Sequence, residues 1–423
     1  MKISIIVPTR NGSPYLEYCL KSCLDNDCRD IEVVVSDNFS TDNTREIAEK
    51  FSADPRLRYY NTGESVSMRR NYEFALSKAS GDYVVIIGDD DGMTRSGLEL
   101  LRSLLAEHEP DAVNWIPAYY TWPRRREEPK HGALHYKISN FFAPPQFRNP
   151  EEILAGFCAA KLVKYRSGAC LYHGCIRRDI IESLTDGEGI FFHAQNPDVY
   201  SCLALLTKVR KFISLGYPVS IGGESEKSIG YVTLTKKAED TEEDRKVADN
   251  FFGLLGKDPV CLELNPKIRS LAAITYASLN RVNEHACGKK LPIDHGAWRR
   301  VIVREMHLLS EERKLKEPGL LEDFFAEHDP AYIRGEYLSS TGPQDRKRFF
   351  GNTGIVAFMK RTLYGKIPRP HMKTVKDVAD WLGTLAPART VISADEKERA
   401  ALVRETFFKD IKMRHSESLG QWF

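Results

Sequence analysis

Asp82-Tyr83-Val84-Val85-Ile86-Ile87-Gly88-Asp89-Asp90-Asp91 is an apolar run that ends on three consecutive carboxylates. Four to six apolar residues bounded by turn formers read as a strand buried on both faces. The same signature recurs at Ile3–Val7, Ile31–Val35, Leu57–Tyr60 and Ala112–Ile116. Helical patterns fall between these runs. One is opened by Ser13 as N-cap with Pro14 at the first helical position, and others lie near Thr44–Phe51, Met68–Lys78 and Ser96–Glu107. This alternation predicts an α/β fold with a mostly parallel, Rossmann-like sheet covered by helices on both faces.

The three acids say most about chemistry. Neighbouring unit charges about 4 Å apart repel by roughly 1 kcal/mol even in water. A hard divalent cation, Mg²⁺ or Mn²⁺, removes that repulsion and shares itself between carboxylates and a substrate's phosphates. The plainer reading is a solvated acidic turn with Thr94 capping the next helix. Placement at a strand end favours the first, because ligands of open α/β sheets bind outside the carboxyl ends of strands. Two further polar loops end strands: Val7-Pro8-Thr9-Arg10-Asn11-Gly12 and Val35-Ser36-Asp37-Asn38-Phe39-Ser40-Thr41-Asp42-Asn43-Thr44. On one rim the three would make a nucleotide site, with Asp37 accepting from a base or ribose and loop amides facing phosphate. Taken singly, Asp37 could equally be an Asx-turn and Ser40 or Thr41 an N-cap.

Composition sets the limits. The chain has 423 residues, 42% of them apolar, and a formal net charge of +2. That is enough for two or three domains and gives no electrostatic reason to expect a nucleic-acid partner. Arg124-Arg125-Arg126 reads as a solvated loop. The nine cysteines are an odd number, and Cys19, Cys23 and Cys28 lack metal or redox spacing, so reduced, buried thiols are expected. Lys2–Val7 is too short for a secretory segment, and no run approaches the ~18 apolar residues of a membrane span. The expectation is a cytoplasmic protein.

Beyond Tyr119 the pattern breaks up as far as Pro150, which suggests an irregular insertion. Cys170–Ile176 then reads as a strand, Asp179–Leu184 as a short helix and Val199–Thr207 as a buried helix. Phe212–Leu215 and Val219–Ile221 read as a strand pair. From about Glu239 the chain looks helical, with Glu242–Leu255, Lys267–Asn283 and Trp298–Leu309 the clearest segments.

Taken together, Ile5-Ile6-Val7-Pro8-Thr9-Arg10-Asn11, Val34-Val35-Ser36-Asp37-Asn38-Phe39-Ser40-Thr41-Asp42-Asn43-Thr44, Arg70-Asn71 and Gly81-Asp82-Tyr83 leading to Asp89-Asp90-Asp91 resemble family 2 glycosyltransferases of the GT-A fold. The likeness is close over roughly the first 110 residues. It implies a nucleotide-sugar-binding half at 1–116, an acceptor-binding half at 117–235 and a C-terminal helical region at 236–423. It also implies inverting, metal-dependent transfer of a sugar from a nucleotide-diphosphate donor, UDP-linked by first expectation, to a glycan or lipid-linked glycan, as in polysaccharide biosynthesis. The cofactor would be Mn²⁺ or Mg²⁺. By the resemblance Pro8, Thr9 and Asp37 hold base and ribose, with Arg10, Asn11, Arg70, Asn71, Asp89 and Asp90 in the nucleotide-sugar site. An Asp-x-Asp reading makes Asp89 and Asp91 the metal ligands, slightly favoured over the adjacent pair Asp89 and Asp90.

The family's catalytic base lies well downstream. Gly189–Tyr200 supplies Asp198, in the first turn of a helix begun by Asn196 and Pro197, although helix N-termini favour acids anyway and Pro197 replaces the family's usual first acid. His173, His193 and Lys227 are candidate donor or acceptor contacts, Lys227 from a Gly-rich loop suited to closing over phosphates. Trp115 and Trp122 are safer as core residues than as sugar platforms. A basic stretch from Met359 to Lys376, with Phe358 and Tyr364, is a candidate for peripheral contact with the inner face of a membrane, though a solvated face of the helical domain is the favoured reading. Other chemistries on such a sheet are retaining transfer, nucleotidyl transfer or glycan binding without catalysis. The Gly-rich phosphate loop of nucleotidyltransferases is absent.

Overall fold

The computed structural model describes residues 1–123, 132–137, 142–227, 242–260, 270–286, 288, 290–313, 319–329, 332–333, 364–368 and 373–385. The first 93 residues run β1 (Ile3–Thr9), α1 (Leu16–Leu24), β2 (Ile31–Asp37), α2 (Thr44–Glu49), β3 (Leu57–Asn61), α3 (Met68–Lys78), β4 (Tyr83–Ile86) and β5 (Gly92–Met93). Then follow α4 (Arg95–His108), β6 (Ala112–Trp115), β7 (Ala118–Thr121), β8 (Ala133–Lys137), β9 (Gln146–Arg148), α5 (Pro150–Cys158), β10 (Gly174–Arg177), α6 (Arg178–Glu182), α7 (Pro197–Leu205), β11 (Phe212–Leu215) and β12 (Ser220–Glu224). The rest comprises α8 (Glu242–Leu255), α9 (Leu271–His285), α10 (His295–Arg313), α11 (Gly319–His328), β13 (Tyr364–Pro368) and α12 (Val375–Leu385).

The main sheet has eight strands in the order β3-β2-β1-β4-β10-β6-β11-β9. β1 pairs in parallel with β2 and β4, and β2 with β3, so their carboxyl ends share one rim. β10 is inserted antiparallel between β4 and β6. Because successive strand residues point to opposite faces, Ile6, Val34, Val84 and Ile86 enter one core, with α3, α5 and α7, while Ile5, Val33, Val35 and Val85 enter the other, with α1 and α4.

Three expectations need correction. The first helix begins at Leu16, not Ser13: Gly12 O takes the N–H groups of Tyr15 and Leu16, and Ser13 N–H instead donates to Asp42 across the rim. Phe212–Leu215 and Val219–Ile221 do not pair with each other. β11 joins the main sheet, whereas β12 pairs with β7 and β5 in a second sheet of order β13-β8-β7-β12-β5. The segment read as an irregular insertion supplies β7, β8 and β9. Short alternating strands such as Ala118–Thr121 carry too few residues for periodicity to reveal them.

The helices after residue 242 are not set apart. Tyr276, Leu279, Trp298 and Phe325 belong to the same hydrophobic cluster as Phe157, Phe191, Tyr200 and Leu203, and Trp298 donates its indole N–H to Phe157 O at 2.9 Å. The buried ion pair of Arg69 on α3 with Asp258 (2.8 Å) ties the end of α8 to the nucleotide half. The seven described cysteines are buried, and no disulfide joins any two of them.

Candidate active site

A cavity of about 940 Å³ opens between the strand-end rim, β12, and helices α7, α8 and α9. Its first wall comes from the ends of β1 and β4. Thr9 Oγ1 donates to Asp89 at 2.5 Å. Gly12 lies so close that a Cβ there would sit 2.1 Å from an Asp89 oxygen and would push the Asp89 and Thr9 side chains aside. Asn11 adopts a left-handed conformation (φ 53°) and braces the β2 loop, accepting from Thr41 N–H at 2.8 Å. Its carbonyl accepts from Lys227 Nζ at 2.9 Å, which brings the Gly-rich loop to the same rim. Arg10 also faces the cavity, with Nε and Nη1 buried and lacking a partner among the described residues.

The three acids are not equivalent. Asp91 is 1% exposed, and its oxygens are spent on internal donors: Gly88 N–H and Gly223 N–H at 2.6 Å each, Tyr172 OH at 2.6 Å and His173 Nε2 at 3.2 Å. Burial pushes this carboxyl up, but His173 and the hydrogen bonds outweigh it and the net direction is down. His173 is itself held in a left-handed backbone (φ 54°) with Nδ1 on Ser220 Oγ at 2.8 Å. Asp91 thus joins β4 to β12 through these donors while lining the cavity beside Asp89 and Asp90. Asp89 and Asp90 line the cavity with fewer internal donors than Asp91. Burial first, then repulsion from the neighbouring carboxylates, pushes Asp90 well up, and burial pushes Asp89 up to about 6.

Two carboxylates that are costly to ionise side by side, with hard oxygen donors and open space, fit a divalent cation. Among the described residues no three His, Cys, Asp or Glu side chains form a closed metal cage. An arrangement of one or two carboxylates leaves coordination positions for phosphates.

The opposite wall carries Asp198 in the first turn of α7, with Pro197 at the first helical position as the sequence predicts. Burial, then the charge of Asp198, pushes the nearby Tyr165 phenol up. Between the walls stands Tyr72, whose phenol is pushed up by burial and then by the charges of Asp198, Asp91, Asp89 and Asp90. One ring thus feels the acids of both walls.

Pro8, Thr9, Arg10, Asn11, Asn71, Asp89, Asp90, Asp91, His173, Asp198 and Lys227 all line the cavity. Asp37, Arg70 and His193 do not. Asp37 is 1% exposed, accepting from Ser40 N–H, Tyr59 OH and Asn61 Nδ2. Arg70 reaches back to Glu64 on the surface, and His193 stacks on His285 at 4.2 Å. Trp115 and Trp122 are core residues, donating to Ser220 Oγ and Asp90 O. Of the basic stretch, residues 359–363 and 369–372 lie outside the described residues, as does Phe358 beside it. Sequence reasoning missed Tyr72, Tyr165, Arg166, Tyr172 and, from α8, Asn250 and Phe251. Nothing in their local pattern distinguishes them from ordinary packing residues.

Residues 4–166 match the family model of glycosyl transferase family 2. The sheet and its flanking helices are GT-A-like. The chain is similar to the GalNAc(5)-diNAcBac-PP-undecaprenol beta-1,3-glucosyltransferase of Campylobacter jejuni, with 34% identity over 24% of this chain and 33% of the relative. It is also similar to the abequosyltransferase RfbV of Salmonella typhimurium, with 36% identity over 25% of this chain and 33% of the relative. The match thus spans a third of each relative's length. Among solved structures, S. aureus TarS 1-349 aligns over 78% of this chain and 88% of that one, at 17% identity and a TM-score of 0.41.

Proposed function

We propose that the chain is an inverting, metal-dependent glycosyltransferase that moves a sugar from a nucleoside-diphosphate donor to a glycan or lipid-linked glycan. The observation that carries this is the pairing, across one cavity, of the Thr9–Asp89–Asp90 wall with the Asp198 wall. Asp89 and Asp90 would hold Mn²⁺ or Mg²⁺, since Asp91 is committed to the fold. When bound, such a cation supplies Lewis-acid stabilisation of a departing diphosphate, worth several kcal/mol. Arg10 and Lys227 add positive charge on the same wall, where the leaving group gains negative charge. Asp198 faces them and takes the proton of the attacking hydroxyl. Attack from the side opposite the leaving group inverts the anomeric carbon, and a positioned base contributes roughly 10²–10⁴-fold.

The donor's base would rest near Asn38 and the inner face of α8, where Asn250 and Phe251 line the cavity. The proposed acceptor class follows from the Campylobacter relative, whose name specifies a PP-undecaprenol-linked glycan. No helix among the described residues is long and apolar enough to cross a membrane, so contact with a lipid-linked acceptor would be peripheral. Calorimetry with UDP and GDP, with and without Mn²⁺, tests the reading. Metal-dependent binding of one of them is expected, and binding of neither would refute it.

A further inference from the structure

The donor chemistry proposed above does not use Arg166, yet three tyrosine rings frame this cation in the same cavity. It stands in a single turn, Tyr165–Ser167, between α5 and β10. Asn114 pins that turn by donating its amide to the carbonyls of Arg166 at 3.1 Å and Gly168 at 2.6 Å. The guanidinium carbon lies 5.7, 5.6 and 5.8 Å from the ring centroids of Tyr119, Tyr165 and Tyr172. Ring faces at that range attract a guanidinium without using its N–H groups, which stay available to a planar, two-pronged acceptor. No carboxylate lies within ion-pair distance of it among the described residues, although the neighbouring Tyr172 donates to Asp91 and Tyr165 feels the charge of Asp198. A half-buried arginine with no counter-ion, facing a cavity, lacks an anion.

Two of the framing rings fix its place. Tyr172 donates to Asp91, and Tyr165 feels the charges of both Asp198 and Arg166, so Arg166 shares the cavity with the proposed base and the acid cluster. The donor's phosphates already have Arg10 and Lys227 on the other wall. We infer that Arg166 in its tyrosine frame seats an oxyanion, phosphate or carboxylate, carried by the acceptor close to the hydroxyl that reacts. This rests on the transferase reading for the word acceptor, and makes Arg166 the residue that selects charged acceptors over neutral ones.

The test titrates the full chain, saturated with UDP and Mg²⁺, with α-glycerophosphate, glycerate and glycerol, followed by NMR. The charged probes are expected to bind at least about tenfold more tightly than glycerol, the scale of one charge-assisted contact. Preference for only one of them assigns the oxyanion as phosphate or carboxylate. Arg166→Gln should erase the preference while UDP affinity stays within about twofold. Arg166→Lys, which keeps a charge but not the fork, should reduce it to a few-fold and serves as the check should Arg166→Gln not fold. Equal binding of all three probes to the wild type overturns the inference. So does a preference that survives in both variants, or a loss of UDP affinity in Arg166→Gln, which would assign the residue to the donor. Absence of UDP binding by the wild type would strike the transferase reading instead, leaving an Arg166-dependent preference standing.

Discussion

The two walls of the cavity are built in different ways. The donor wall is a row of parallel strand ends drawn from the first 93 residues, and each contributes its loop directly to the rim. The acceptor wall is assembled from a turn at Tyr165–Ser167, the start of α7, and faces of α8 and α9. The donor wall is held by backbone hydrogen bonding and by Asp91, which staples it to β12. The acceptor wall is held by side-chain packing in a core shared with the C-terminal helices. A wall of strand ends can carry one ligand class across many proteins, while a wall of packed side chains can vary with the acceptor.

Substitutions on each wall put this contrast at risk. The largest effect is expected from Asp198→Asn, which should depress kcat by about 10²–10⁴-fold while leaving UDP affinity in Mn²⁺ unchanged. Near-normal turnover would remove Asp198 as the base. Next comes Asp91→Ala, which strands two backbone N–H groups, Tyr172 and His173. It should cost about 3 kcal/mol of stability in urea denaturation, and a loss of metal-dependent binding without destabilisation would restore Asp91 as a ligand. Asp90→Asn should do the reverse, weakening Mn²⁺-dependent UDP binding about 10–100-fold with stability maintained, because the carboxyl it replaces is already costly to ionise.

The smallest effect is on pH. His193, outside the cavity and stacked on His285, is held neutral by burial, then by His285 and Arg281, against the pull of Asp186, and its pKa falls to about 4. The unfolded imidazole protonates near the usual value of about 6.5, so the unfolded state binds more protons between the two values. The stabilisation is complete above about 6.5 and is lost as pH falls towards 4. His193→Phe should flatten that slope by about 1 kcal/mol across the window. An unchanged slope would show that the His193–His285 stack does not link stability to pH.

Much of the donor wall is legible in the residues. Parallel strands buried on both faces write continuous apolar runs, and their ends are marked by Pro8–Gly12, Asp37–Thr44 and Asp89–Asp91. The helices Met68–Lys78 and Glu242–Leu255 fall where their pattern predicts, because each shows a helical period over several turns. The division of labour among the three aspartates is not legible. Adjacent identical residues carry no local mark of which one turns inward, and that depends on Gly223, whose missing side chain lets β12 approach Asp90 so closely that a Cβ would lie 1.8 Å from its carbonyl oxygen.

Residue order alone specifies the alternation of strand and helix, the polar strand ends and the position of Asp198 in a helix's first turn, because each rests on hydrogen bonding and periodicity within a few residues. Long-range packing was needed to turn Asp91 inward, to occupy Asp37 with Tyr59 and Asn61, and to stand Arg166 among three tyrosines. Those outcomes depend on side chains tens to hundreds of residues apart competing for the same space and the same hydrogen bonds.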